Sequence, residues 1–85
     1  PAAANALGAV HFLEGSLVQA RKYFEYTLTQ ESDNIEALVN LSLLDIRTGH
    51  TQKGLQSLAE LEKKFPDSKT IRQAIRSTLS RSLTP

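Results

Sequence analysis

A chain of 85 residues with no cysteine and a net charge of +1 is large enough for one small domain and excludes a disulfide framework or a thiolate metal site. Its apolar and charged fractions, 40% and 22%, are those of an ordinary globular protein. No apolar run is long enough to cross a membrane.

No signal peptide is legible and Pro1 is not a natural start, so the chain reads as a piece of a longer protein, with cytoplasm and periplasm both compatible. Charge is unevenly spread. Residues up to His50 sum to −3 and those after it to +4, which suits either solvated helix faces or a polar partner surface and head-to-tail association.

The spacing predicts five helices. The first, Ala2 to Leu13, is Ala-rich and sets Ala4, Leu7, Val10 and His11 on one face. Gly15 stops it, and Ser16 with Gln19 opens the next as a capping box. A two-residue turn makes the pair antiparallel. The second helix, Leu17 to Gln30, has an apolar stripe of Leu17, Ala20, Tyr23, Phe24 and Leu28. A polar cluster ends it, and Asp33 with Glu36 reads as the next capping box.

The third helix, Ile35 to Thr48, repeats the first at a distance of 34 residues: Leu38, Leu41, Leu44 and Asp45 follow Ala4, Leu7, Val10 and His11, and Gly49 follows Gly15. The fourth, Gln52 to Phe65 with Thr51 as cap, carries Leu55, Leu58, Leu61 and Glu62, and places Gly54 and Leu58 where Ala20 and Phe24 stood. Pro66 forbids continuation and biases Phe65 away from the helical region. Ser68 caps a fifth helix to about Leu83, whose stripe is Ile71, Ile75 and Leu79. One thin apolar line in a charged helix suits the end of a stack.

Two helical hairpins at this period resemble the tetratricopeptide repeat family. Repeat one is 1–34, repeat two 35–68, and the terminal helix is 69–83. The family's small residues fall on Gly8, Ala20, Ser42 and Gly54, and its second-helix aromatic on Phe24, with Leu58 in the second repeat. His11 and Asp45 depart from its usual aromatic, Leu61 from a small residue, and Ser32 from the proline that Pro66 supplies in repeat two. The resemblance implies an all-α fold of antiparallel hairpins stacked as a short right-handed superhelix. It also implies a concave groove lined by Asn5, Ala9, Phe12, Leu13, Val39, Asn40, Leu43, Ile46, Arg47 and Gln73. Phe12, Val39, Leu43 and Ile46 would then bury a partner segment, with Asn5, Asn40 and Arg47 fixing its register. The clamp that some members use on a terminal carboxylate is not expected: Asn40 fits one of its places, but Ala9, Thr70 and Ala74 stand at others, and without the cations no charge-assisted pair to a carboxylate forms.

No catalytic set is visible. His11 and Glu14 are half of a metal or acid–base pair with no second half, the serines have no histidine at a recognisable spacing, and the glycines form no phosphate-cradling loop. Neither an enzyme, nor a cofactor, nor a small-molecule substrate is expected. Lys69, Arg72 and Arg76 share a face of the last helix, with Arg81 nearby, as a possible basic surface. Without aromatics among them, nucleic acid or a membrane is a poorer expectation than an acidic protein or plain solvent. The leading expectation is therefore a non-catalytic interaction module, an adaptor or scaffold in complex assembly. The alternative is a spacer or homo-oligomer joined through apolar edges at Ala2 to Val10 and around Ile71.

Overall fold

The computed structural model describes the backbone of residues 2–83 and the side chains of residues 2–81; Pro1, assigned to repeat one, lies outside the described residues. Five helices follow in order: α1 (Ala2–Glu14), α2 (Leu17–Gln30), α3 (Ile35–Arg47), α4 (Thr51–Lys64) and α5 (Lys69–Leu83). No strand occurs among the described residues. α1 packs on α2 and α3 on α4 as hairpins, and α2 and α4 are each seated between their own partner and the helix that follows. α1, α3 and α5 also touch side by side, so they form one layer and α2 with α4 the other. The shortest dimension, 18 Å, is that of two helix layers.

The turns repeat as the helices do. Gly15 and Gly49 have φ of 82° and 96°, the left-handed region that glycine enters without a Cβ penalty. The Ser16 amide donates to the His11 carbonyl at 2.8 Å and the Gly15 amide to that of Phe12 at 3.1 Å. His50 and Gly49 make the same pair to Asp45 and Ile46, at 2.8 and 3.2 Å. Both hairpins therefore turn on a Schellman motif.

Three expected caps change, two of them because of this closure. Ser16 and His50 are the N-caps of α2 and α4, and neither side chain makes a capping hydrogen bond. Each is also the last residue of the preceding Schellman motif, with ψ of 70° and 58° rather than the extended value of a capping serine. Thr51 is thus the first helical residue of α4, not its cap. At α3 the cap is Asn34 and not Asp33: Asn34 has ψ 105°, and its Oδ1 accepts from the Ala37 amide at 3.0 Å. Glu36 then sits one place too early for a capping box. Its Oε2 instead accepts from Asn5 Nδ2 at 3.1 Å and ties α3 to α1. Ser68 caps α5 as expected, accepting from the Ile71 amide at 3.2 Å. Phe65, before Pro66, leaves the helix with ψ 69°.

Two apolar clusters hold the layers together. Ala20, Phe24 and Leu44 form one, with Phe12, Leu17 and Leu41 around it. Val39, Leu58, Ile71 and Ala74 form the other, with Leu43, Ile46, Leu61 and Phe65 among its neighbours. Close approach is what the small residues provide. A Cβ on Gly8 would stand 2.5 Å from the Phe24 ring, and one on Gly54 would stand 2.5 Å from Ile46 Cγ1 and 2.6 Å from the Ser42 carbonyl oxygen.

The expected stripe of α1 needs correcting. Asn5 and Gly8 are its buried residues, whereas Leu7 and Val10 are 47% and 50% exposed. Only one side of α1 has helices on it, and Leu7 and Val10 lie on the other. They occupy in repeat one the places of Leu41 and Leu44, which face α2 in repeat two. In α5 the buried residues are Ile71 and Ala74, and Leu79, expected in the stripe, is half exposed. Ile71, expected at an open edge, is fully buried because α4 already covers it with Leu58.

Candidate interaction groove

α1, α3 and α5 form one layer of the fold. Three parallel helices spaced by packing leave a furrow wherever the facing residues are small or short. Between α3 and α5 the furrow widens to a cleft of about 570 Å³, within the size range of ligand sites. Phe12, Leu43 and Ile46 supply apolar wall, each half-buried and touching a core cluster. Asn40, Thr70 and Gln73 supply polar groups. The amides of Asn40 and Gln73 have no hydrogen-bond partner among the described residues, so they remain open to a ligand.

A second, shallower cleft of about 530 Å³ continues the furrow toward the N-terminal ends of α1, α3 and α5, sharing Asn40 and Thr70 with the first. Ala9 and Asn5 are here, opposite Glu31, Asp33 and Glu36.

Of the ten residues expected to line the groove, seven line the main cleft and Asn5 and Ala9 line its continuation, with Asn40 common to both. Leu13 lines neither and is 84% exposed, because α1 reaches the cleft only through Phe12. Two other expectations change in role. Val39 is 3% exposed and belongs to the core with Leu58 and Ile71, so it forms the floor and cannot anchor a ligand. Asn5 is 6% exposed and spends its amide donor on Glu36, so it fastens α1 to α3 and cannot read a register.

Arg47 sits over the Phe12 ring, 5.6 Å from the guanidinium to the ring centroid, and this cation–π contact closes the rim between α1 and α3. Arg81 lines the same end of the cleft. It was expected to join the basic surface of Lys69, Arg72 and Arg76, but the turn of α5 separates them. Arg72 and Arg76 lie beside Glu62, Ile75 and Leu79 in a different surface depression, and Arg72 donates to the Pro66 carbonyl at 3.2 Å. Arg81 follows Arg47 by 34 residues, so the repeat period alone contained the signal for its place.

His11 is not part of any site with Glu14. Its ring stacks on Tyr23 with centroids 5.4 Å apart, and Nδ1 stands 3.8 Å from the Glu14 carboxylate, beyond hydrogen-bond reach. Among the described residues no three His, Cys, Asp or Glu side chains converge on a point where a metal could sit. Comparisons with protein-family models, with curated protein sequences and with solved structures find no match.

Proposed function

We propose that this chain is a non-catalytic interaction module that holds a segment of a partner protein in the groove between α1, α3 and α5, as an adaptor or scaffold does. The observation that supports this is the main cleft. Its apolar wall of Phe12, Leu43 and Ile46 is half open, and the side-chain amides of Asn40 and Gln73, without a hydrogen-bond partner among the described residues, line the same cleft. Apolar anchors beside a few convergent polar groups are what a partner's side chains need for burial and orientation. The same arrangement is what the resemblance to tetratricopeptide repeats implies.

The test obstructs the cleft from two sides. Ser77→Arg acts at an exposed lining position and Leu43→Arg at a half-buried one, with helicity checked by circular dichroism. A partner segment found by affinity capture should lose about tenfold or more in affinity for both variants, the scale of one buried anchor. Undiminished binding to both would place the segment elsewhere and refute the groove.

A second reading is self-association, favoured by the exposed Leu7 and Val10. Their equivalents Leu41 and Leu44 are covered by α2, so the bare face of α1 has the shape that accepts another helix, here from a second copy of the chain. Solution mass across a concentration series, with Leu7→Glu beside the natural chain, decides it: a dimer abolished by the variant supports self-association, and a monomer throughout refutes it.

A further inference from the structure

The groove is electrically polarised along its length. At one end Arg47 and Arg81 line the main cleft, and no carboxylate is among the described lining residues. Asp45, the acidic side chain nearest in sequence, is bound to Arg21 at 2.7 Å on α2. At the other end Glu31, Asp33 and Glu36 line the continuation, and no Lys or Arg among the described residues does. Lys64 reaches Asp33 at 3.1 Å and offsets one of these charges; Lys69, at that end of α5, is not among the lining residues. The partner of the Glu36 carboxylate is the uncharged side-chain amide of Asn5. The two ends share Asn40 and Thr70, so one ligand can span both.

From this we infer that the groove takes an amphipathic helix lying antiparallel to α3, with acidic residues in its first turn against Arg47 and Arg81 and basic residues in its last turn against Glu31 and Glu36. The inference rests on the groove being the binding site, and it adds the secondary structure, charge order and direction of the occupant. A helix fits because the groove is walled by helices and offers no sheet edge. An extended segment would leave its amides and carbonyls to the few polar side chains there, whereas a helix satisfies them internally. α3, with 13 residues, is about 20 Å long, so an occupant of about 14 residues reaches from one charged end to the other. The antiparallel direction also agrees with the occupant's own dipole, which favours acidic residues at its N-terminus and basic ones at its C-terminus.

Three fluorescent peptides of about 14 residues, with one shared leucine stripe at helical spacing, test this by anisotropy on the whole chain. One carries two Glu in the first turn and two Lys in the last, one has these exchanged, and one has Gln at all four places. At about 20 mM salt the first should bind about tenfold more tightly than the second, and at about 500 mM the difference should shrink to about twofold or less. The doubly substituted Arg47→Gln, Arg81→Gln chain should bring the ratio between the first two peptides down to about twofold or less; each peptide's own helicity is the same against either chain, so the lost ratio reports groove charge. Equal affinity of all three for the natural chain, with loss on Ser77→Arg, overturns the charge order and direction but leaves the groove. A preference for the exchanged peptide, or one undiminished in the doubly substituted chain, overturns the inference in the same way. No binding of any peptide, or binding that survives Ser77→Arg, overturns the groove itself.

Discussion

Gly54→Ala should destabilise the fold even though alanine is the better helix former. The new Cβ would stand 2.5 Å from Ile46 Cγ1 and 2.6 Å from the Ser42 carbonyl oxygen, against a comfortable separation of about 3.5–4.0 Å. Overpacking of this kind costs about 1–3 kcal/mol. The upper part of that range applies, because a backbone oxygen moves only if α3 moves with it. Replacing glycine inside a helix returns about 1 kcal/mol through propensity. The net loss is about 2 kcal/mol, which for a domain of this size lowers the melting temperature by about 8–16 °C. Thermal unfolding followed by circular dichroism reads this directly. Trimming the other partner, in the double variant Gly54→Ala, Ile46→Ala, should restore little, since the Ser42 carbonyl remains in the way. A melting temperature equal to or above that of the natural chain would refute the close approach of α3 and α4, and with it the packing of repeat two.

The caps give a contrast: Asn34→Ala should cost about 1 kcal/mol and Ser16→Ala a few tenths at most in urea unfolding, because only Asn34 bonds a helix amide. The two ion pairs should differ as well. Arg21→Ala leaves the Asp45 side chain, 10% exposed, without its cation and should cost about 1–2 kcal/mol after allowance for a partly solvated arginine, whereas Lys64→Ala at a largely exposed pair should cost under about 0.5 kcal/mol. Leu44→Ala should cost about 2–4 kcal/mol and Val10→Ala under about 1 kcal/mol, although Val10 holds in repeat one the place that Leu44 holds in repeat two. Similar losses at Leu44 and Val10 would mean that α1 is covered in solution.

The helices were legible because their punctuation is local. Gly15, Gly49 and Pro66 stop a helix by backbone geometry that no neighbour needs to supply. The caps were less legible, because a serine before a helix caps it only if ψ is extended, and at Ser16 the preceding turn had already set ψ. The groove was readable from the 34-residue period, which orders Leu13, Arg47 and Arg81 in one column and Asn5, Val39 and Gln73 in another. A column gives direction and not depth. Leu13 is bare and Arg81 lines the cleft, while Val39 is buried and Gln73 exposed, because the three helices have different neighbours.

By itself, then, the sequence determined the number of helices, their antiparallel pairing and the contacts between small and large residues within a hairpin, all of which follow from spacing along a chain. Tertiary structure alone decided which apolar faces are core and which are surface. Leu7 and Leu41 are the same residue at the same place in the repeat, and only the second has a helix packed against it. It also decided that Glu31, Asp33 and Glu36 line the end of the furrow away from Arg47 and Arg81. Burial and field depend on what stands beside a residue in space, and a one-dimensional pattern does not contain that neighbour.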